Sequence, residues 1–169
     1  MRMRKEVENH LINDIIPFCL FLRDDVYGGY YGFMDYDLKV DEKAVKGCIL
    51  NSRITWFFAN AYMVLKDESL LEEARHGYEF MCKYCLDNEN GGIFWTVQYD
   101  GTPDETLKHT YNQAFAIYAL SSYYDAFHVE EALQTATDLF RLIEIKCRDE
   151  YGYKEAQSRE FYNVSNDKL

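Results

Sequence analysis

Only two prolines and nine glycines interrupt this 169-residue chain, and no stretch is Pro-rich, Gly/Ser-rich or of low complexity. Proline breaks helices and glycine weakens them, so the shortage of both fits a mostly helical chain. Nothing marks an internal boundary, and the length suits one domain, residues 1–169, with a sizeable core. No apolar run reaches the about 18 residues that a membrane-spanning helix needs. The start, MRMRKEVENH, is polar and lacks the apolar centre of a secretory signal. Basic residues are scarce: 18 Lys and Arg stand against 29 Asp and Glu, for a net charge of -11. Nucleic-acid affinity rests on neutralising phosphates with Lys and Arg, so such a partner is excluded, as is a membrane. The five cysteines are an odd number, at 19, 48, 82, 85 and 147. Without a signal they predict reduced thiols in a cytoplasmic protein. Cys82-Lys83-Tyr84-Cys85 has C-x-x-C spacing but neither a second pair nor a strand-turn context. Both are expected to be buried helix cysteines rather than metal ligands or a redox pair. No P-loop, dinucleotide fingerprint, H-E-x-x-H or Ser/His/Asp set is present, and no metal or other cofactor is expected.

What is abundant is aromatic: 17% of residues, 15 of them tyrosines. Some of these rings sit beside glycine in a recurring mark. It reads Tyr27-Gly28-Gly29-Tyr30-Tyr31, then Asn90-Gly91-Gly92-Ile93-Phe94-Trp95, then Tyr151-Gly152-Tyr153. The steps are 63 residues (28 to 91) and 61 residues (91 to 152). A fixed period means one supersecondary unit copied along the chain, a unit that cannot bury its apolar face alone.

Five helices are predicted around these marks. The first spans about 3–22, with Val7, Leu11, Ile15, Phe18 and Leu22 at helical period and a kink at Pro17. The second, 47–65, is apolar almost all round. The third, 68–87, puts Leu71, Ala74, Tyr78, Met81 and Cys85 on one face; its Glu72, Glu73, Arg75, His76, Glu79 and Lys83 are expected in water. The fourth, 104–125, is again apolar on most sides. The fifth, 129–147, carries a stripe of Ala132, Ala136, Leu139, Phe140 and Ile143. Residues 27–40 and 91–101 read as short hairpins or loops, the second with a turn at Asp100-Gly101, and the tail from 151 shows no helix. Helices apolar all round are buried all round; those with one polar face are half wet. Their alternation predicts two concentric layers, with a two-layer solenoid as the other arrangement it permits.

Few side chains stand out as chemical. Aligning the two apolar helices at an offset of 58 matches Arg53 to Tyr111 and Phe57 to Phe115. Arg53, beginning an apolar helix, stays charged and needs an anion, a carbonyl or water as partner. It could pair with a nearby carboxylate, or stand at a cavity mouth and stabilise negative charge developing on a substrate. His109 could cap its helix, bond a carbonyl or touch substrate. His10, His76 and His128 fall on wet faces or junctions. The carboxylate pairs Asp24-Asp25, Glu72-Glu73 and Asp149-Glu150 are expected at the surface.

The stretches IIPFCLFLRDDVYGGYYGFMDYD, KGCILNSRITWFFANAYM, GYEFMCKYC, NGGIFWTVQYDGTP, LKHTYNQAFAIYALSSYY and EYGYKEAQSREF resemble the N-acylglucosamine 2-epimerase family, and within it most closely the cellobiose 2-epimerases. The resemblance runs colinearly over essentially the whole chain. It implies an all-α fold, an (α/α)6 barrel of which five helices of twelve are present here. It implies epimerisation at C2 of the reducing-end sugar of a β-1,4-linked disaccharide, cellobiose to glucosyl-mannose, through an enediolate. Arg53 would then stabilise the enediolate oxygen and Tyr111 would contact the sugar; Phe57, Phe115 and His109 would line the site. The family's two general acid/base histidines match none of His10, His76, His109 or His128. The chain is therefore expected to be the N-terminal portion of a catalytic domain, inactive alone and prone to self-association at its open edge. A carbohydrate- or protein-binding helical module, or a related isomerase or glycan hydrolase, are the other readings.

Overall fold

The computed structural model describes residues 2–162. Helical periodicity becomes α1 (Arg2–His10), α2 (Ile16–Phe21), α3 (Cys48–Leu65), α4 (Glu68–Phe80), α5 (Thr110–Phe127) and α6 (Glu130–Lys146). A π-helical turn, Leu11–Ile15, joins α1 to α2, and a second, Met81–Cys85, extends α4. The first is the local answer to Pro17. Proline has no N–H to continue the ladder, and the Ile16 N–H reaches back five residues to the Leu11 carbonyl instead. These are the five predicted rods, with one boundary moved. The fourth starts at Thr110, not 104, because residues 104–109 are drawn into tertiary pairing. Glu105 O accepts from the Trp95 and Thr96 N–H groups, each at 3.1 Å, and Lys108–His109 form a strand.

Short antiparallel ladders join the units: β1 (Lys46–Gly47) with β2 (Thr96–Val97), β3 (Lys108–His109) with β6 (Ala156–Gln157), and β4 (Arg148–Asp149) with β5 (Gly152–Tyr153). The expected turn at Asp100-Gly101 is present, closed by Gly101 N–H to Gln98 O at 2.9 Å. No helix occurs from 151 to 162. The rest of the tail, 163–169, lies outside the described residues.

α3 packs against both α4 and α5, and α5 packs against α6. Fully buried alanines (Ala59, Ala74, Ala116, Ala119 and Ala132) let these backbones approach, while Phe58, Leu70, Met81, Ile93 and Leu120 fill the volume between them. Both inner helices, α3 and α5, end on a left-handed residue, Lys66 or His128, whose N–H caps the carbonyl of Tyr62 or Tyr124. The copies therefore repeat at an offset of 62 within these helices, one turn away from the 58 expected. Arg53 is equivalent to Phe115 rather than Tyr111, and Phe57 to Ala119. A four-residue slip keeps a helix face nearly unchanged, so apolar pattern alone does not fix it.

Several expected faces turn out otherwise. The inner helices are not buried all round: Arg53, Val64, Tyr111 and Tyr118 are exposed. Phe140, placed in the buried stripe of α6, is 56% exposed, and Val7 and Phe18 lie open on α1 and α2. Nothing among the described residues covers them. Conversely, Asp24, expected at the surface, is fully buried, and the Glu73 side chain is only 12% exposed, held by Arg23 Nη1 at 2.8 Å.

Candidate functional site on the open face of the inner helices

Each Gly-Gly mark is the tip of a loop tied to an inner helix. In the second copy, Asp87 accepts from the backbone N–H of Glu89 and Asn90, shaping the turn, and its own N–H bonds Gly92 O at 2.9 Å. Gly91 and Gly92 take φ of 79°, open to glycine and costly for other residues. The chain then runs along α5. Gln113 Oε1 accepts from Ile93 N–H at 2.6 Å, Gln113 Nε2 donates to Ile93 O at 2.8 Å, and Asn112 Nδ2 donates to Phe94 O at 2.8 Å. The next carbonyl, Trp95 O, caps α3 by accepting from Cys48 N–H at 3.1 Å. The first copy repeats the first of these bonds, with Asn51 Oδ1 accepting from Tyr30 N–H at 3.0 Å. Side chains near the N-terminal ends of both inner helices are fixed by this backbone lattice.

On that frame lies a run of rings. His109 lies tilted against Trp95 with centroids 4.2 Å apart, and Trp95 meets Tyr111 edge-on at 5.5 Å. Tyr111 meets Phe115 at 6.3 Å, Phe115 meets Tyr118 at 6.5 Å, and Tyr118 stacks on Trp56 at 4.9 Å. The Arg53 guanidinium sits over the Phe115 ring, 5.7 Å from its centroid. No carboxylate among the described residues pairs with Arg53. The ion-pair alternative is thus unfilled here, and the cation is held by a ring face while facing solvent. Of the residues singled out from sequence, Arg53, Tyr111, Phe115 and His109 are brought into one surface. Phe57 is set apart: its ring contact is with Phe58 at 5.1 Å, within the packing around the core.

His109 neither caps α5 nor bonds a carbonyl; its Nε2 is buried with no hydrogen-bond partner among the described residues. His76, by contrast, donates to Gly29 O at 2.8 Å, and His10 pairs with Asp14 on the exposed side of the chain. Cys85 is buried and Cys82 half-buried, and burial pushes both thiols up, away from the reactive thiolate.

Sequence reasoning missed three members of this region: Trp95, Lys46 and Lys108. Both lysines are fully buried, on Asp24 and Asp87 respectively. The signal was present as a repeated Asp-x-x-x-Gly-Gly, at 24–29 and 87–92, followed by Lys46 and Lys108.

Comparison with known proteins places this arrangement. The chain is 53% identical over 168 residues to a cellobiose 2-epimerase of Eubacterium cellulosolvens, covering 99% of this chain and 42% of that protein. Against a cellobiose 2-epimerase of Ruminococcus albus the identity is 52%, covering 99% and 43%. Its backbone superposes on the cellobiose 2-epimerase structure from Bacillus thermoamylovorans with a TM-score of 0.97, at 42% identity, covering all of this chain and 44% of that one. A D-mannose isomerase structure, at 23% identity and a TM-score of 0.85, shares the fold. The chain thus spans less than half the length of the relatives it matches, and its helices form part of the two-layer (α/α)6 barrel of those proteins. The family profile described as N-acylglucosamine 2-epimerase (GlcNAc 2-epimerase) matches residues 29–168, and the chain belongs to that family.

Proposed function

We propose that this chain, residues 1–169, carries the N-terminal share of the catalytic domain of a sugar 2-epimerase. Its site would interconvert C2 epimers at the reducing end of a β-1,4-linked disaccharide, cellobiose to glucosyl-mannose. The observation that carries this reading is the 53% identity to a cellobiose 2-epimerase along 99% of the chain. Arg53, an exposed cation with no carboxylate partner among the described residues, supports it. In the opened sugar, a base removes the C2 proton. The C–H electron pair then forms the C1–C2 double bond of an enediolate, and negative charge collects on the former carbonyl oxygen. Arg53 donates to that oxygen, an interaction stronger in the transition state than in the neutral carbonyl. Reprotonation on the opposite face restores the carbonyl and inverts C2. Phe115 lies under the guanidinium and Tyr111 beside Phe115, both contacting the sugar, with His109 next to Tyr111. The groups that remove and return the proton are assigned to no residue of this chain.

The test is cellobiose binding by the purified chain, together with C2 hydrogen exchange in deuterated water followed by NMR. Saturable binding that Arg53→Ala weakens, with no exchange at C2, is the expected result. Exchange by the chain alone would overturn the assignment of the proton-transfer groups elsewhere. Binding untouched by Arg53→Ala would favour a non-catalytic carbohydrate-binding module.

A further inference from the structure

Asn90-Gly91 is the only Asn-Gly step in the chain. At the loop offset of 63 its counterpart in the first copy is Tyr27-Gly28, so the repeated turn does not require asparagine here. The step matters chemically because glycine puts no side chain in front of its own backbone nitrogen, which can then reach the preceding amide carbon. Loss of its proton lets Gly91 N attack Asn90 Cγ. The new C–N bond closes a five-membered succinimide, the Cγ–Nδ2 bond breaks, and Nδ2 leaves as ammonia with the proton that Gly91 gave up. Water then opens either carbonyl, giving aspartate or isoaspartate. The sum is asparagine plus water to an acid plus ammonia, with no change of oxidation state.

The folded turn opposes the first step. The Gly91 N–H is donated to Asp87 O at 2.8 Å. The Asn90 amide is held back on the same residue, its Nδ2 lying 3.4 Å from Asp87 Oδ2. The Asp87 carboxylate also disfavours the negative charge that forms at Gly91 N. Asp87 is in turn held by Lys108 at 3.0 Å and by the fork of Arg159 at 2.8 and 3.0 Å. Arg159 lies 72 residues along the chain from Asp87, past the third Gly-aromatic mark, and it also reaches Glu89 at 2.9 Å. Beside the turn, Gly91 and Gly92 border an open cleft of about 320 Å³ shared with Asp138 and Leu142 of α6, so water reaches this backbone.

We propose that Asn90 is a self-modification site of this chain, and that the clasp of Arg159 on Asp87 sets its rate. While the 157–162 segment stays docked, the turn is closed and the amide survives. When Arg159 lets go, the turn opens, Gly91 N is freed and the conversion proceeds irreversibly. The product alters the turn that made it. A carboxylate in place of the amide sets two like charges together where Nδ2 had met Asp87 Oδ2. Isoaspartate adds a methylene to the backbone inside the loop that Asp87 N–H closes on Gly92 O at 2.9 Å. The residues that follow form the frame under the candidate site, Ile93 and Phe94 tied to α5 and the Trp95 carbonyl to α3. The step thus records in covalent form that the third copy has come away from the second.

The test incubates the 169-residue chain and its Arg159→Ala variant at mildly alkaline pH. Peptide mass mapping follows each asparagine, and hydrogen exchange at the Gly91 amide measures opening. Asn90 is expected to convert ahead of every other asparagine, to a mixture of aspartate and isoaspartate. In Arg159→Ala the conversion should be about tenfold faster, the change that one lost charge-assisted hydrogen bond makes to a local opening equilibrium. Arg159→Lys, which keeps the charge without the fork, should lie between the two. Asn51 precedes Ser52 and is fully buried in α3, so its conversion reports global unfolding. Asn51 converting in step with Asn90 would overturn the clasp, as would equal Asn90 rates in the parent and both Arg159 variants. Conversion of the exposed Asn88, or of any other asparagine, before Asn90 would overturn the site itself.

Discussion

Lys46 and Lys108 illustrate how two similar residues differ in energetic weight. Lys46 Nζ lies 2.6 Å from Asp24 Oδ2 and 2.8 Å from Gly28 O, and no other cation among the described residues pairs with Asp24. Lys108 Nζ lies 3.0 Å from Asp87 Oδ2, but Asp87 is also forked by Arg159, at 2.8 and 3.0 Å. Removing one partner of a buried pair strands the other, at a cost of about 3–5 kcal/mol. Lys46→Ala should reach that range, while Lys108→Ala should cost clearly less because Arg159 remains. Urea unfolding checks this, and equal costs would contradict it. The same pairs set the acid response. Burial alone would raise both aspartates; Lys46 with the Tyr27 and Val26 N–H groups outweighs it at Asp24, and Arg159 with Lys108 outweighs it at Asp87. Both carboxyls therefore sit below the ordinary value of about 4. A depressed folded-state value means stabilisation that is complete above the ordinary, unfolded value and is lost as pH falls from there through the folded value. The chain should hold its stability from neutral pH down to about 4 and lose it progressively below, with a shallower loss in Lys46→Ala. Asp24 was expected at the surface because sequence adjacency shows only that Asp24 and Asp25 diverge, not which one meets a lysine 22 residues on.

At the scale of the element, the tightest constraint is where α4 crosses α3. A Cβ on Gly77 would lie 2.3 Å from Thr55 Oγ1 and 3.3 Å from the Tyr30 ring. Helix propensity favours alanine over glycine by about 1 kcal/mol, whereas forcing an extra carbon into a packed contact costs about 1–3 kcal/mol. Packing should win, and Gly77→Ala should lower the melting temperature. Adding Thr55→Ala, which vacates the hydroxyl position, should recover part of the loss; a higher melting temperature for the single variant would refute the argument. From sequence, Gly77 sits inside a helical pattern with no mark of this crossing. The helices themselves were legible, because their 3.6-residue apolar period survives in any context. The start of α5 was not, since residues 104–109 are extended by pairing with Trp95, Thr96 and the 155–157 segment rather than by local preference.

For the whole molecule, the consequential feature is the two uncovered edges. α1, α2 and the π-helical turn between them leave Val7, Ile15, Phe18 and Phe21 exposed, beside an open cleft of about 510 Å³ lined by Met3, Val7, Leu11, Val64 and Leu65. α6 leaves Phe140 and Ile145 exposed. Covering a large apolar side chain is worth about 1.5–3 kcal/mol, so edges of this kind favour association over a dissolved monomer. Sedimentation of the purified chain should show a mass that rises with concentration. A monomer across the micromolar range would count against this view.

The sequence by itself determined the helical class, the repeat and the five rods, because periodicity and Gly-Gly turns are local properties. It also carried the residues of the family resemblance, among them Arg53, Tyr111 and Phe115. Only the tertiary structure decided the register between copies, the burial of Asp24 and the lysines, and the separation of Phe57 from the surface that Arg53 shares with Tyr111. Each of these depends on which helix turn meets which neighbour, and a slip of one turn leaves the sequence pattern intact while changing every contact.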